Sequence, residues 1–459
     1  MIDICIIAVV SPQPNSSMAD SFVAQPPLGI AYIASVLLEN GYSVELVDMN
    51  LRSITMKYLE DIIRIKKPKV VGLSALTESS NNAIRLSQFI KKIDKNIIIV
   101  LGGPHFSFLD QEALSFPSID YVVRNEGEYT FLELCNTIFN NKNSFEQIYG
   151  ITFRENEKII RNRPRPLIRD LDVLPFPARD LYFLEEYNIP AGVITSRGCP
   201  NQCIFCSAGA FSGGKYRMRS AENVFKEIKM LYEYGYNFIF FQDDTLTVDI
   251  NRLNKILDLI LENNLKIAWL CESRVDIEDE QIFKKMSDAG CIGIQFGIES
   301  GSQEILDKVN KNISLDQIME SLSAAVKYNL TPVCSFMIGH WLDTPQTIDE
   351  SISFAVKIQK EFLCKSLFAI STPLPGTRLY NRIEQYGCRL ISNDFDRYDM
   401  ITPVMETKYL NAKQMRWYLF KAVTELSKNT PKELVSLLTL RKSLPEKLNM
   451  SYNYDDTLI

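Results

Sequence analysis

Two residue types that often take part in catalysis or ligand binding are scarce in this chain. Its 459 residues include two histidines and three tryptophans. No apolar run approaches the ~18 residues that a membrane-spanning helix needs. The amino terminus has no basic region before an apolar core, so it predicts a first strand rather than a signal peptide. These absences predict a cytoplasmic protein without a transmembrane segment.

An excess of positive charge is also missing. The net charge is -6, with 50 Lys and Arg against 56 Asp and Glu. This balance argues against a nucleic-acid partner and favours small-molecule or protein substrates. The chain is long enough for two or three domains, each with its own core.

Ten cysteines are present, and three of them, Cys199, Cys203 and Cys206, have the spacing C-x3-C-x2-C. Cysteines placed independently would give this spacing in roughly 0.5% of such chains. The spacing supplies three thiolates to an iron-sulfur cluster and leaves one iron open to a substrate. Structural zinc, the alternative, needs four ligands, and no second C-x2-C or nearby histidine completes such a site.

The other cysteines show no ligand spacing, and in a reducing compartment we expect them to be buried apolar residues or free thiols. They are Cys5, Cys135, Cys271, Cys291, Cys334, Cys364 and Cys388.

Residues 1–145 alternate short apolar runs with amphipathic stretches, which predicts a flavodoxin-like or Rossmann-like doubly wound α/β domain. The predicted strands are Ile4–Val10, Ser43–Val47, Val70–Ser74, Ile97–Leu101 and Tyr121–Arg124. In such a sheet, ligands bind at the carboxyl ends of the strands. Residues 74–77, 102–105 and 125–128 follow strands there, and no G-x-G-x-x-G follows the first strand, which disfavours a nicotinamide dinucleotide.

Residues 146–189 predict a hairpin and a proline-rich linker. From 190 to 385, six βα units predict an open, partial (β/α)6 barrel. The predicted strands are Gly192–Thr195, Phe238–Gln242, Ile267–Cys271, Gly293–Ile298, Val333–Ile338 and Leu367–Ser371. Residues 386–459 predict a small mixed capping region with a helix at Ala412–Leu426 and a weakly ordered tail at Leu444–Ile459.

Polar groups follow the first four strands of the predicted barrel. They are Cys199, then Asp243 and Asp244, then Glu272, Ser273 and Arg274, then Glu299. Because reacting groups gather at the carboxyl ends of barrel strands, we expect these side chains to share one mouth. Acids, an arginine and a cluster suit a zwitterionic ligand with a ribose. Any single acid could instead cap a helix.

The order of these motifs carries a family resemblance. Cys199-x3-Cys203-x2-Cys206 with Phe205 is followed by Phe241–Asp244, Trp269–Arg274, Gly293–Gly301 and Pro373–Thr377. With this order, residues 190–385 resemble a radical S-adenosylmethionine (SAM) enzyme. Residues 1–145 resemble the cobalamin (B12)-binding domain that precedes it in the branch of B12-dependent methyltransferases.

The resemblance implies roles for the residues of the barrel. Cys199, Cys203 and Cys206 would hold a [4Fe-4S] cluster whose fourth iron binds SAM. The implied SAM contacts are Asp243 or Asp244 to the ammonium, Glu272, Ser273 and Arg274 to the ribose and carboxylate, and Gln295, Glu299 and the Phe205 backbone to the ribose or adenine. The reduced cluster would cleave SAM to a 5′-deoxyadenosyl radical, and the barrel would supply position and exclusion of water.

The resemblance also implies a cobalamin site in the N-terminal domain, without an axial histidine because D-x-H-x-x-G is absent. The implied contacts are Pro27, Leu28, Ser74, Thr77, Gly102, Gly103, Pro104, His105, Glu126 and Gly127. His105 could equally be a solvated loop residue. Relatives often have G-E-G-E where this chain has Asn125-Glu126-Gly127-Glu128.

A second departure follows the fifth barrel strand. Gly339-His340-Trp341-Leu342-Asp343-Thr344 stands where relatives often have Gly-Leu-Pro-Gly-Glu-Thr. His340 and Trp341 either shape the substrate pocket or belong to a helix-capping loop with a packed tryptophan.

The resemblance predicts methylation of an unactivated carbon, with cobalamin carrying the methyl group. Cobalamin-linked cyclisation or rearrangement without methyl transfer is the nearest alternative. A methylthiotransferase would need three more N-terminal cysteines, whereas only Cys5 and Cys135 are present. A non-catalytic iron-sulfur and corrin sensor is the alternative from another class. The implied partners are a small-molecule, lipid or peptide substrate and an electron donor such as flavodoxin or ferredoxin.

Overall fold

The computed structural model describes residues 2–10, 25–140 and 144–432. Two compact units are present: the first extends to Pro190 and includes the short segment Asp394–Asp396, and the second begins at Ala191 and contains the rest of the described chain. The predicted tail at 444–459 lies outside the described residues.

The first unit is built on one seven-stranded sheet in the order β2-β1-β3-β4-β5-β6-β7. Its strands are β1 (Ile4–Ala8), β2 (Val44–Asp48), β3 (Val70–Ser74), β4 (Ile98–Gly102), β5 (Tyr121–Val123), β6 (Ile151–Glu155) and β7 (Lys158–Arg161). Its helices are α1 (Leu28–Glu39), α2 (Met56–Lys66), α3 (Ser80–Ile93), α4 (Pro104–Phe108), α5 (Asp110–Ala113) and α6 (Glu128–Asn140).

The first five strands are parallel, and each of β1 and β3 is a run of apolar residues buried along nearly its whole length. Such runs arise because helices cover both faces of a parallel sheet. The predicted doubly wound domain is confirmed. The hairpin β6–β7 extends the same sheet, with β6 antiparallel to β5.

The second unit is built on six parallel strands in the order β15-β14-β13-β12-β11-β8, with helices between them. The strands are β8 (Ala191–Val193), β11 (Phe238–Phe241), β12 (Ala268–Ser273), β13 (Cys291–Glu299), β14 (Thr331–Ile338) and β15 (Lys365–Ile370). The short strands β9 (Ser196–Arg197) and β10 (Arg217–Met218) pair separately and antiparallel.

Apart from α7, the helices between the strands of this unit bury apolar residues in one core with the six-stranded sheet. The helices are α7 (Ser207–Ser212), α8 (Ala221–Glu233), α9 (Ile250–Glu262), α10 (Gln281–Asp288), α11 (Gln303–Lys308), α12 (Leu315–Lys327) and α13 (Pro345–Phe362). Because β8 and β15 each have one strand neighbour, the sheet is open, and the predicted partial barrel is confirmed.

The described C-terminal part is mixed, as predicted. It contains α14 (Arg378–Asn381), an antiparallel pair of β16 (Arg389–Leu390) and β17 (Met405–Glu406), and α15 (Ala412–Lys428). Asn411 caps α15 in a capping box with Gln414. Within the described residues, the helices are all too short or too polar to cross a bilayer.

Candidate functional site

The three motif cysteines lie on the loop that joins β9 to α7, which we call the cysteine loop (residues 198–206). Cys199 is buried, and Cys203 and Cys206 are half-buried. Burial raises the pKa of the Cys206 thiol to about 11, while backbone N–H groups of Gly209 and Ala208 act in the opposite direction. N–H groups pointing at a sulfur favour its thiolate form, which is the form that binds metal.

Two other segments hold the cysteine loop from outside. The backbone N–H of Ile204 donates to the Val309 carbonyl at 3.1 Å, and the side-chain amide of Asn310 donates to the Gln202 carbonyl at 2.9 Å. The N–H of Leu379 donates to the Ile204 carbonyl at 3.0 Å. These bonds fix the loop between the residues after α11 and the start of α14.

The donor chemistry of the cysteine loop fits an iron-sulfur cluster, since soft thiolates are its usual ligands. Across the part of the chain that the structure describes, no three His, Cys, Asp or Glu side chains converge on a single-ion site. A cubane cluster does not require such convergence, because each thiolate binds its own iron. All three thiols on this loop are unbridged.

Asp243, one of the two acids after β11, is buried and bound to the backbone before the cysteine loop. Its carboxylate accepts from the Thr195 N–H at 3.2 Å, from the Thr195 hydroxyl at 2.8 Å and from the Ser196 hydroxyl. Arg252 donates to the Thr195 hydroxyl at 3.0 Å. Burial raises the pKa of Asp243, and the bonds from Ser196 and Thr195 oppose that shift. The Asp243 carboxylate is therefore already engaged in hydrogen bonds within the protein.

Asp244, the second acid, is exposed and accepts from the backbone N–H of Gly198. Although the residue as a whole is exposed, the surrounding protein desolvates its carboxylate, and this desolvation together with the neighbouring charge of Asp243 raises its pKa. Burial also raises the pKa of Glu272, with Asp244 as the second cause. Asp244, which follows β11, thus raises the pKa of Glu272 on β12, and neighbouring carboxylates favour a cationic group beside them.

Ser273 and Arg274 are both buried and engaged within the unit. The Ser273 hydroxyl lies 2.5 Å from that of Thr247. Arg274 forms a two-pronged contact with Asp276, with Nε 2.9 Å from one oxygen and Nη2 3.0 Å from the other. A ligand carboxylate would share this guanidinium with Asp276 or replace it.

Gln295 and Glu299 lie on β13, where Gln295 is half-buried and Glu299 is 9% exposed. The Glu299 carboxylate pairs with the buried Lys311, Nζ to Oε1 at 2.7 Å. Sequence reasoning missed Lys311, because nothing in its local sequence distinguishes it from a solvated surface lysine.

The loop after β14 combines features of both interpretations of His340 and Trp341. Asp343 accepts from the His340 backbone N–H at 2.9 Å and from the Thr347 hydroxyl at 2.9 Å, and Thr344 caps α13. Trp341 packs on Tyr386 with ring centroids 5.1 Å apart. The loop therefore does cap a helix.

The His340 ring, however, lies 5.4 Å from the ring of Phe205 on the cysteine loop. It is buried, and its Nε2 has no hydrogen-bond partner. The Phe205 ring also packs beside Ile204 and Leu379. The histidine is therefore next to the cysteine loop, as the pocket interpretation requires.

In the first unit, the predicted cobalamin residues gather at the carboxyl ends of β3, β4 and β5, which are neighbours in the sheet. Ser74 and Gly102 end β3 and β4, and the Ala75 N–H donates to the Gly102 carbonyl at 3.2 Å. Thr77 is buried and precedes α3.

Gly103 has φ +96°, and a Cβ there would lie 2.5 Å from the Ala75 carbonyl oxygen. Only glycine fits this position, because both the backbone angle and the close approach exclude a side chain. Pro104 is the first residue of α4, which the sequence reasoning had not predicted as a helix. A flat ligand at this edge would meet backbone rather than side chains.

His105 is buried, and burial lowers the pKa of its imidazole to about 4. The expectation that it could be a solvated loop residue is wrong. Its ring contacts Phe106 and Phe395, with centroids 5.0 and 4.6 Å away, and its Nδ1 has no hydrogen-bond partner. A buried, unpaired nitrogen fits a site that a bound ligand completes.

Two of the four remaining predicted cobalamin residues, Pro27 and Glu126, contact the segment after the hairpin. The Tyr182 hydroxyl donates to the Pro27 carbonyl at 3.0 Å, and the N–H of Ile168 donates to Glu126 at 2.8 Å. Leu28 is buried in α1, and a Cβ on Gly127 would lie 2.7 Å from Ile33. Pro27, Leu28 and Gly127 therefore take part in the packing of α1, and the part of all four residues in ligand binding stays a prediction.

Comparison with family models and known proteins places these two units in known families. The B12 binding domain matches residues 18–135, and the Radical SAM superfamily matches residues 193–355. An uncharacterized methyltransferase of Pyrococcus horikoshii is 35% identical over 423 residues, which cover 91% of each chain. The anaerobic magnesium-protoporphyrin IX monomethyl ester cyclase of Rubrivivax gelatinosus is 27% identical over 87% of this chain and 73% of its own.

Among solved structures, the radical SAM methyltransferase TsrM of Kitasatospora setae, with cobalamin and a [4Fe-4S] cluster bound, has the same fold. The TM-score is 0.71 at 15% identity, over 94% of this chain and 89% of that chain. The family models cover both described units, and the Pyrococcus relative spans nearly the whole chain. This chain therefore belongs to the radical SAM superfamily, among the enzymes that carry a B12-binding domain ahead of the radical SAM domain.

Proposed function

We propose that this enzyme is a cobalamin-dependent radical SAM methyltransferase that acts on an unactivated carbon. The observation that carries the proposal is the cysteine loop, with three unbridged thiols fixed beside the carboxyl ends of parallel strands. A B12-binding domain in the same chain gives the radical chemistry a methyl carrier.

The three cysteines would hold the cluster, and Asp244 and Glu272 would bind cationic and hydroxyl groups of SAM. When bound, the reduced cluster supplies the electron that cleaves SAM, and the corrin supplies the methyl group. Asp243 positions the backbone ahead of the cysteine loop rather than touching SAM. Gln295, Glu299 and the Phe205 backbone remain candidates for the ribose and adenine.

In the first unit, Gly102, Gly103 and Pro104 would present backbone to the corrin, with His105 beside them. Because burial lowers the pKa of His105 to about 4, its imidazole is neutral at pH 7. A neutral ring adds no charge to the site and keeps one nitrogen as a hydrogen-bond acceptor. Ser74 and Thr77 would contribute at the neighbouring strand end.

We expect a small-molecule, lipid or peptide substrate, a flavodoxin or ferredoxin as electron donor, and a cytoplasmic location. The net charge of -6 makes a nucleic-acid substrate unfavourable. The apolar neighbours of Phe205 and His340 would form one wall of the substrate pocket.

The test is an anaerobic assay of the reconstituted protein with SAM, cobalamin and a strong reductant. A methyltransferase forms S-adenosylhomocysteine and 5′-deoxyadenosine together. Cys203→Ala, the control, should form no 5′-deoxyadenosine. If wild-type protein that carries about four irons formed neither product, the proposal would be refuted.

The second candidate is cyclisation or rearrangement without methyl transfer. It is favoured by the cyclase from Rubrivivax gelatinosus, which is similar over most of this chain. In that case the same assay gives 5′-deoxyadenosine without S-adenosylhomocysteine. The ratio of the two products therefore distinguishes the candidates.

A further inference from the structure

Lys311 is a buried lysine next to the cysteine loop. It follows α11 directly after Val309 and Asn310, the two residues that hydrogen-bond the loop at Ile204 and Gln202. Its side chain is 7% exposed. A lysine so deeply buried is uncommon, because removing an ammonium from water costs several kcal/mol unless it is paired.

The pairing of Lys311 is specific and geometrically demanding. Its Nζ lies 2.7 Å from Glu299 Oε1, and its backbone carbonyl accepts from Arg274 Nη2 at 2.8 Å. Glu299 has φ +71°, in the left-handed region that is uncommon for residues other than glycine. A Cβ at Gly297 would lie 2.6 Å from Glu299 Oε1 and 2.8 Å from Lys311 Nζ. The ion pair fills the space that a side chain at 297 would take.

The ion pair lies beside the cysteine loop because the chain next to Lys311 is bonded to that loop. Val309 and Asn310, the two residues before Lys311, hydrogen-bond to Ile204 and Gln202. Ile204 and Gln202 flank Cys203, so Lys311 is attached to the loop at the residues on either side of this cysteine.

A buried positive charge has a definite effect on a neighbouring iron-sulfur cluster. Reduction adds one negative charge to the cluster, and a nearby ammonium stabilises the more negative state. Water screens such an interaction little when the charge is buried. Glu299 and the bonds of residues 309 and 310 to the cysteine loop keep the ammonium in place.

We propose that Lys311 is a positioning and redox-tuning residue: its buried ammonium, fixed by Glu299, raises the midpoint potential of the cluster held by Cys199, Cys203 and Cys206. The proposal rests on the cluster of the proposed function. It does not depend on methyl transfer or on the identity of the substrate.

The test is the midpoint potential of the reconstituted cluster, measured by EPR during titration with dithionite, without SAM or substrate. Lys311→Met removes the charge and should shift the potential downward, whereas Lys311→Arg should keep it near the wild-type value. Glu299→Gln removes the opposing charge and should shift the potential upward. Shifts of opposite sign are the signature of charge, since a purely structural disturbance does not follow the sign of the removed charge.

Lys327→Met is the matched control. Lys327 also forms an ion pair in the second unit, with Glu280 at 2.9 Å, but both side chains are about half exposed. Its removal should leave the potential unchanged. If Lys311→Met does not retain the cluster, the midpoint potential of Glu299→Gln still tests the proposal, because the proposal requires it to shift upward.

Equal potentials in wild type and Glu299→Gln would overturn the proposal, as would an unchanged or raised potential in cluster-containing Lys311→Met. Wild-type protein that forms no cluster would instead refute the proposed function. The two failures are therefore distinguishable.

Discussion

Asp243 and Asp244 are adjacent, but changing each to asparagine should have different effects on the protein. The Asp243 carboxylate accepts hydrogen bonds from Thr195 and Ser196, whereas Asp244 is exposed. The first change therefore disturbs the fold, and the second disturbs the binding of a cation. Their adjacency makes each variant the matched control of the other.

The magnitude for Asp243→Asn follows from its three hydrogen bonds. A hydrogen bond to a charged group contributes about 1.5–3 kcal/mol. Asparagine keeps one acceptor oxygen and turns its amide group toward a donor of Thr195 or Ser196. We expect a loss of roughly 3 kcal/mol in the free energy of unfolding, which for a unit of this size lowers the Tm by about 6–12 °C.

For Asp244→Asn the Tm should stay within about 2 °C of wild type, because asparagine keeps an acceptor oxygen for the Gly198 N–H and substitutions at exposed positions change stability by about 0.5 kcal/mol at most. SAM binding should weaken about 10- to 100-fold, the range of one lost charged hydrogen bond. Thermal unfolding by circular dichroism and anaerobic SAM binding by the reconstituted protein are the two measurements. A wild-type Tm for Asp243→Asn, or wild-type SAM affinity for Asp244→Asn, would refute this reasoning.

Two predictions concern the first unit. Burial lowers the pKa of His105 to about 4 from its usual value of 6.5, so the unfolded chain binds more protons than the folded chain between these two pH values. The free energy of unfolding therefore falls as the pH drops through that window. Between pH 7 and pH 5, the free energy of unfolding of the wild type should fall by about 2 kcal/mol more than that of His105→Gln, as measured by thermal unfolding. Equal losses in the two proteins would count against a buried neutral ring. Gly103→Ala should cost more than about 1 kcal/mol and weaken cobalamin binding in equilibrium dialysis, because its Cβ meets the Ala75 carbonyl at 2.5 Å. In Gly102→Ala the nearest neighbour of the new Cβ would be the Val123 carbonyl oxygen at 3.6 Å, so its stability should stay close to wild type, and equal losses of stability in the two variants would contradict the geometry.

The sequence by itself determined the features that depend on local pattern. Buried parallel strands are nearly continuous apolar runs, so the five parallel strands of the first sheet and the six of the second followed from the sequence. The joining of the hairpin β6–β7 to the first sheet did not. The spacing of Cys199, Cys203 and Cys206 indicated the cluster motif, since thiolate spacing is a local property. The α15 helix was predictable from its periodicity.

Only the tertiary structure decided which polar groups the fold itself uses. Asp243 and Asp244 are equivalent in sequence, and the partners that occupy Asp243 lie about fifty residues earlier in the chain. The partner of Glu299, Lys311, stands in the connection after α11, and no local signal reports that it is buried. Phe395 reaches His105 across 290 residues of sequence. A hydrogen bond or ion pair depends on distance in space, which local periodicity does not encode, so these assignments required the folded chain.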